Sequence, residues 1–207
     1  IDSTFLTALG NLGTLYSNFN QLDKAISIYK KCISIDSTRF IHRLNLGTAY
    51  RKMKLYSLSE QEFRTVIAMD SSNNYAWNNL GLLYYSMQKY DEAERILFKT
   101  IAMDTFFANP YQIMGLVYFK TSRPKDAALF FNKALEINAK NSYAYLGLAY
   151  LELEKKDTTK VIEYIIKAID PGITFEYLDM DEELKTLKEQ MIWKERMAKY
   201  FPGKWKD

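Results

Sequence analysis

The chain has 207 residues, of which 48% are hydrophobic and 26% charged, a composition that supports a packed core and excludes a disordered or low-complexity protein. The formal net charge of +3 comes from 28 basic and 25 acidic residues intermixed along the chain, so no basic stripe predicts nucleic-acid binding. No run approaches the roughly 18 apolar residues of a membrane span, and Cys32 is alone, which excludes an internal disulfide or zinc cluster.

The sequence repeats itself with a period of 34 residues. A Leu-Gly-x-x-Tyr string begins at Leu12, Leu46 and Leu80, and a Met-Gly variant of it begins at Met114. Two further columns keep the same step: the small residues Ala25, Ser59, Ala93 and Ala127, and the large residues Tyr29, Phe63, Leu97 and Phe131. Several columns in one register indicate a repeated structural unit.

This pattern resembles that of the tetratricopeptide repeat family, whose 34-residue unit is a helix-turn-helix. The resemblance implies an all-α protein, a right-handed α-solenoid of helical hairpins. The predicted units are residues 6–39, 40–73, 74–107, 108–141 and a degenerate fifth repeat at 142–174. The pattern departs at Arg43, where the family has a large residue, and the late proline of the family is replaced by Ser, Thr or Ala.

Residues 1–5 belong to none of these units. Residues 1–4 read Ile-Asp-Ser-Thr, as do residues 35–38 one period later. The sequence therefore predicts that residues 1–5 are the closing turn of a further repeat upstream.

Each unit predicts two helices. In the third repeat, Trp77, Leu80, Gly81 and Tyr84 stand at i, i+3, i+4 and i+7, on one helix face. A glycine inside a helix costs about 1 kcal/mol against alanine, so its recurrence predicts a close approach of the second helix. Asp91 is predicted to cap that second helix, and the Asp, Ser and Thr residues between hairpins, such as those at 70–72, to cap the helix that follows.

The C-terminal region leaves the period. Pro171 and Gly172 are predicted to end the fifth hairpin early. Residues 175–207 are predicted to form a capping helix and tail, with one helix over residues 181–200. Its buried face would carry Leu184, Leu187, Met191 and Ala198.

The family resemblance implies that the first helix of each repeat lines a concave groove, where a partner would bind. At the sixth position of successive repeats stand Asn11, Asn45 and Asn79. This series resembles the asparagine ladder of the O-linked N-acetylglucosamine transferases, which implies hydrogen bonds from the amides to a peptide main chain. The alternative is that Asn is a common surface residue before Leu-Gly.

Further groove positions become apolar and aromatic: Tyr75, Leu82, Tyr85, Leu116, Phe119, Tyr143, Leu146 and Tyr150. Such side chains are typical of partner-binding surfaces. The alternative is that the capping helix folds against part of this wall. Partner binding is favoured for Tyr75, Leu82 and Tyr85, because these residues are farther from the capping helix. The predicted peptide-binding residues are Asn11, Asn45, Asn79, Tyr75, Asn78, Leu82, Tyr85, Gln112, Leu116 and Phe119.

Other kinds of site find little support in the sequence. The chaperone-binding members of the family hold an acidic tail with a Lys–Asn pair, and here those positions of the first repeat carry Gly10 and Thr14. His42, the one histidine, is predicted to be a surface residue, and Cys32 a buried, inert one. No enzyme activity, metal or cofactor is predicted.

The sequence thus predicts a scaffold that binds a protein or peptide partner, with self-association as an open possibility. The alternative is an accessory or oligomerisation region of a larger enzyme or membrane-associated protein. Abundant Lys, Ile, Tyr and Asn are typical of an AT-rich bacterial genome, and the compartment is left open between cytoplasm and periplasm.

Overall fold

A computed structural model describes residues 3–181, 184–189 and 191–203, apart from the side chains of Ser3, Phe175, Met180 and Thr186. All regular secondary structure in these residues is helical, as predicted. The chain divides into two compact units, Ile1–Thr105 and Phe106–Asp207.

Unit 1 consists of three helical hairpins. Its helices are α1 (Ser3–Asn18), α2 (Leu22–Ile35), α3 (Phe40–Lys52), α4 (Tyr56–Met69), α5 (Asn74–Ser86) and α6 (Tyr90–Met103). Each first helix packs against its own second helix, and α3 also contacts the first helices on either side of it, α1 and α5.

Unit 2 contains two further hairpins and a C-terminal segment. Its helices are α7 (Ala108–Lys120), α8 (Pro124–Ile137), α9 (Ser142–Glu154), α10 (Thr158–Ile169), α11 (Phe175–Met180), α12 (Lys185–Lys188) and α13 (Met191–Ala198). Helix α10 ends just before Pro171, as the sequence predicts.

The recurring glycine lets the two helices of a hairpin approach closely. A Cβ atom built on Gly47 would lie 2.6 Å from the Phe63 ring, and one on Gly115 would lie 2.5 Å from the Phe131 ring. Both rings are fully buried, so an added methyl group would force them apart. The close helix packing therefore offsets the free-energy cost of a glycine inside a helix. The predicted close approach of the second helix is confirmed.

The predicted helix caps are wrong in detail. The N-cap of α6 is Lys89, and Asp91 lies inside the first turn, where its charge faces the positive end of the helix dipole. Asp70 ends α4, and its carboxylate accepts hydrogen bonds from the Ser72 N–H and hydroxyl, so it closes a turn. The cap of α5 is Asn73, which accepts from the Ala76 N–H at 3.0 Å.

The turn inside each hairpin has a residue with a left-handed backbone, and none of these residues is glycine. They are Asn20, Lys54, Gln88, Ser122 and Lys156, with φ between 56° and 62°. Their 34-residue spacing shows that the turn repeats as faithfully as the helices do.

The single capping helix predicted at 181–200 is wrong, because the described residues of that segment form two short helices, α12 and α13, and a third short helix, α11, precedes them. Leu184 and Leu187 are buried as predicted, but Met191 and Ala198 are exposed. Trp193 and Met197 are buried instead. All four buried side chains join the core of the fifth hairpin, so the segment does cover that hairpin.

Arg43 occupies the column that holds a large apolar residue in the family. Its guanidinium Nη1 donates to the Glu62 carboxylate at 2.9 Å, across from α3 to α4. In unit 2 the equivalent pair is Tyr111 and Phe130, whose ring centroids lie 6.1 Å apart. An ion pair thus replaces an aromatic contact at the same place in the hairpin.

Candidate functional site

The first helices of unit 1 form a wall that carries the asparagines at the sixth position. Asn11 is exposed, and Asn45 and Asn79 are partly exposed. Asn11 and Asn45 line one cavity of about 350 Å³, so the structure brings these two amides together. Asn79 lies one repeat further along the wall, on α5.

The cavity lies between α1 and the start of α3. Its lining residues are Thr7, Gly10, Asn11, Thr14, Arg39, Ile41, His42 and Asn45. A second depression of about 420 Å³ shares Thr7, Asn11 and Arg39 with it and extends to Thr4 and Ala8. The two depressions therefore adjoin each other on this wall, and both polar and apolar groups line them.

His42 is buried, with 4% of its surface exposed, so its prediction as a surface residue is wrong. The ring packs under α1, where a Cβ atom on Gly10 would lie 2.6 Å from the His42 Cε1. Neither Nδ1 nor Nε2 has a hydrogen-bond partner among the described residues. Burial lowers the pKa of the imidazole, and the nearby Arg39 guanidinium lowers it further.

A signal for this contact was present in the sequence. The column of His42 holds Ala8, Ala76 and Ala144 in other repeats, whereas the column of Gly10 holds larger residues. His42 is large where other repeats have alanine, and Gly10 is small where other repeats have larger side chains. This exchange of sizes indicates complementary packing between neighbouring first helices. Arg39 was also missed, because it precedes the repeat positions assigned to the groove.

The remaining predicted residues of unit 1 differ in accessibility. Tyr75 is 62% exposed, and Leu82 and Tyr85 are partly exposed. Tyr85 contacts Tyr90 with ring centroids 6.0 Å apart. Asn78, at the fifth position, is instead buried, and its Oδ1 has no partner among the described residues.

Hydrogen bonds between neighbouring first helices hold this wall together. Arg51 on α3 donates to the Ser86 hydroxyl on α5 at 3.2 Å. Lys52 lies 3.5 Å from the Ser17 hydroxyl on α1. These pairs stand at one edge of the wall and link successive repeats.

In unit 2 the C-terminal segment lies against α9. The Tyr150 hydroxyl donates to the Asp181 carboxylate, and Tyr143 meets Tyr177 edge-on with centroids 5.7 Å apart. The structure thus favours the intramolecular alternative for Tyr143 and Tyr150.

Other predicted residues of unit 2 remain partly accessible. Gln112 and Leu116 are partly exposed, and Phe119 stacks on Tyr150 at 5.8 Å. Leu146, which the sequence places in the groove, is buried in the core of the fifth hairpin.

The part of the chain that the structure describes contains no group of side chains suited to hold a metal ion. No three His, Cys, Asp or Glu side chains there converge on a common point. Cys32 is fully buried, and burial raises the pKa of its thiol, as expected for an inert residue. None of the described helices has both the length and the apolar character to cross a bilayer.

Comparisons with known proteins agree with the repeat. Two family models, both described as tetratricopeptide repeat, match the sequence: one at residues 6–39 and 108–141, the other at residues 44–111. No curated protein matches the sequence.

Solved structures with the same hairpins show the fold. TTC0263, a thermophilic repeat protein of Thermus thermophilus, has 15% identity and a TM-score of 0.77 over 88% of this chain and 98% of that chain. A tetratricopeptide repeat protein of Parabacteroides merdae has 20% identity and a TM-score of 0.78 over 87% and 70% of the two chains. YrrB, described as having an unusual peptide-binding site, has 18% identity and a TM-score of 0.51 over 87% and 90%.

Proposed function

This chain belongs to the tetratricopeptide repeat family, and we propose that it is a protein-interaction scaffold whose first-helix wall in unit 1 binds an extended peptide. The observation that carries this proposal is the shared cavity of Asn11 and Asn45. Each side-chain amide offers one acceptor and two donor hydrogens, which match the N–H and C=O groups of a peptide main chain.

The wall offers two kinds of contact to such a peptide. Asn11, Asn45 and Asn79 supply main-chain hydrogen bonds, and Tyr75, Leu82 and Tyr85 supply apolar area at the third repeat. Main-chain contacts bind a range of sequences, whereas aromatic anchors select particular side chains. The peptide-binding site named for YrrB supports the use of this fold in peptide recognition.

Peptide selection by phage display on the immobilised chain tests this function. Asn45→Ala should weaken a selected peptide about fivefold to tenfold, the usual effect of one lost hydrogen bond. Asn79→Ala should act in the same direction. The matched control is Asn132→Ala, an exposed asparagine on the second helix α8.

Isothermal titration calorimetry measures the affinities, and far-UV circular dichroism confirms that helicity is unchanged. Equal affinity of Asn45→Ala and Asn132→Ala would reject the asparagine contacts. Failure to select any peptide would reject the function itself.

A second candidate, association through the outer face of α1, is favoured by one observation. Leu12 and Leu15 are 38% and 51% exposed, whereas the same columns are buried in α3, at Leu46 and Ala49. The helix α1 has no charged residue, so two copies could pack these faces without like-charge repulsion. We therefore include a second copy of the chain as an alternative partner.

Sedimentation velocity tests this candidate. The chain should associate as its concentration rises, and Leu15→Lys should keep it monomeric by placing charges in the contact. A chain that stays monomeric at all concentrations would eliminate the second candidate and leave the peptide proposal intact.

A further inference from the structure

We propose that His42 makes the contact between α1 and α3 sensitive to acid, so that protonation of its ring favours a state in which α1 has moved away from α3. Asn11 on α1 and Asn45 on α3 line one cavity, and this movement would separate the two amides. The consequence for a partner rests on the proposed function, because it applies to a peptide held by both asparagines. Acid would weaken the binding of such a peptide.

The imidazole of His42 lies between the two helices. It belongs to the first turn of α3, and 4% of the residue surface is exposed. A Cβ atom on Gly10 of α1 would lie 2.6 Å from the Cε1 atom and 3.2 Å from the Nδ1 atom of the ring. The ring therefore fills the space between α1 and α3, and a change in its charge acts directly on their contact.

Both ring nitrogens are shielded in this contact. Nδ1 and Nε2 each have less than 1 Å² of accessible surface and no hydrogen-bond partner among the described residues. An imidazolium carries an N–H donor at both nitrogens, and a buried charge requires partners or solvent for its donors. The closed contact offers these donors neither. The neutral ring therefore fits the closed contact, whereas the charged ring favours a separated one.

The charges nearest to the ring also favour its neutral form. Burial lowers the pKa of the imidazole, the Arg39 guanidinium lowers it further, and the Asp36 carboxylate opposes both effects. Asp36 already accepts from the Thr38 N–H and hydroxyl, at 3.0 and 2.6 Å, and its other oxygen lies 3.4 Å from the Arg39 Nε. Its negative charge is therefore shared with other donors.

The neighbouring helices do not supply a counter-charge among the described residues. Helices α1 and α5, which pack on either side of α3, contain no charged residue. On α2, burial raises the pKa of Tyr29 and of Cys32, so both remain neutral near pH 7. On α4, Glu62 pairs with Arg43 at 2.9 Å. Protonation of His42 therefore adds a positive charge that this contact does not compensate.

The direction of the pH effect is set by the two states of the imidazole. In the separated state its pKa has the ordinary value of about 6.5, whereas the closed contact lowers that pKa. The separated state binds the proton more tightly, so the closed contact is fully stable above the ordinary pKa and loses stability as the pH falls below it. The loss ends at the lowered pKa, where both states are protonated.

The next repeat has no titratable group in the same two columns. They hold Leu44 and Ala76, both buried, where the first contact has Gly10 and His42. An apolar pair of one large and one small side chain is therefore compatible with this place in the repeat. The proton-binding group is a property of the contact between α1 and α3 and not of the repeat.

Hydrogen exchange measured by mass spectrometry tests the acid-sensitive contact without any ligand. A helix released from its partners is marginal in water, so the amides of α1 exchange when α1 leaves α3. After correction for the intrinsic exchange rate, the protection of residues 6–15 should fall about threefold to tenfold from pH 7.5 to pH 5.5. The upper limit is the ratio of protonated to neutral imidazole at pH 5.5 for a pKa of about 6.5.

Two variants remove the proton-binding group in different ways. His42→Leu keeps a large side chain next to Gly10, and Gly10→Leu combined with His42→Ala copies the columns of the next repeat. Other titratable groups are common to all three chains, so the difference between the chains reports His42. Both variants should lose the pH-dependent fall in α1 protection. A fall of the same size in the original chain and in the variants would overturn the inference.

Nuclear magnetic resonance provides a measurement that needs no variant. His42 is the single histidine, so its ring signals are assigned without ambiguity. Its pKa should lie below the ordinary value, and a pKa of about 6.5 or higher would also overturn the inference.

Peptide binding separates this inference from the proposed function. A peptide selected at pH 7.5 should lose more affinity at pH 5.5 for the original chain than for His42→Leu, and equal losses would overturn its release by acid. Acid-dependent protection of α1 without any selected peptide would support the acid-sensitive contact and reject the scaffold function. A peptide bound through Asn45, with α1 protection independent of His42, would reject the acid-sensitive contact alone.

Discussion

In unit 1 the first helices leave Asn11, Asn45 and Asn79 at least partly exposed, the first two at one cavity, whereas in unit 2 the C-terminal segment lies against the first helix α9. Both walls come from the same repeat positions, and the buried columns hardly differ between them. The repeat therefore determines how hairpins pack but leaves the wall free to vary. Among the described residues, the asparagines of the first wall remain exposed, and the second wall is partly covered by the C-terminal segment.

The largest expected effect on stability comes from the C-terminal segment that packs on the fifth hairpin in unit 2. Trp193→Ala should destabilise the fifth hairpin and its C-terminal segment by about 3–5 kcal/mol, because the indole is fully buried in their common core. Met191→Ala, two residues earlier on the same helix and 71% exposed, should change stability little. Urea unfolding followed by circular dichroism gives both values. Similar losses of unfolding free energy in the two variants would mean that the buried core does not stabilise the C-terminal segment.

A smaller effect on stability should come from the Arg43–Glu62 ion pair, which replaces an aromatic contact found in unit 2. Arg43→Tyr alone would leave the Glu62 carboxylate, only 16% exposed, without its partner, and should cost about 1–2 kcal/mol. Adding Glu62→Phe recreates the aromatic pair of Tyr111 and Phe130. The double variant should regain the stability of the original chain or exceed it, since apolar pairs often replace buried ion pairs without loss. A double-mutant cycle measures the coupling, and strictly additive effects would contradict it.

The smallest effect should be the same in both units, because the hairpin turn does not differ between them. Gln88 in unit 1 and Ser122 in unit 2 have φ values of 59° and 57°. Glycine adopts this backbone without strain, so Gln88→Gly and Ser122→Gly should each stabilise by about 0.5 kcal/mol. Thermal unfolding provides the measurement, with Gln88→Ala as a control that should bring no gain. A gain in one unit alone would show that the turns are not equivalent.

Much of the fold could be predicted from local pattern. Gly47 and Phe63 are 16 positions apart in a repeated register, and that register alone indicated a close helix contact. The break at Pro171 also follows from the backbone restrictions of proline. The caps were predicted less well, because Asp70 and Asn73 can each close a turn or begin a helix, and only the path of the chain decides between them.

The wall could be predicted only in part. The sixth position identified Asn11 and Asn45, which do meet at one cavity, but the fifth position placed Asn78 and Leu146 on a surface where both are buried. His42 was assigned to the surface by residue type, although its column was evidence of the reverse. A contact between two first helices depends on the side chains of both helices, so a rule based on one residue type cannot predict it.

By itself the sequence determined the period, the helical hairpins and the buried columns, because these depend on spacing along the chain, which repetition makes visible. The tertiary structure alone decided that His42 packs under Gly10, that Arg43 pairs with Glu62, and that the Tyr150 hydroxyl donates to Asp181. Each of these contacts joins residues from different helices. Their partners are selected by packing in three dimensions, which a one-dimensional pattern does not contain.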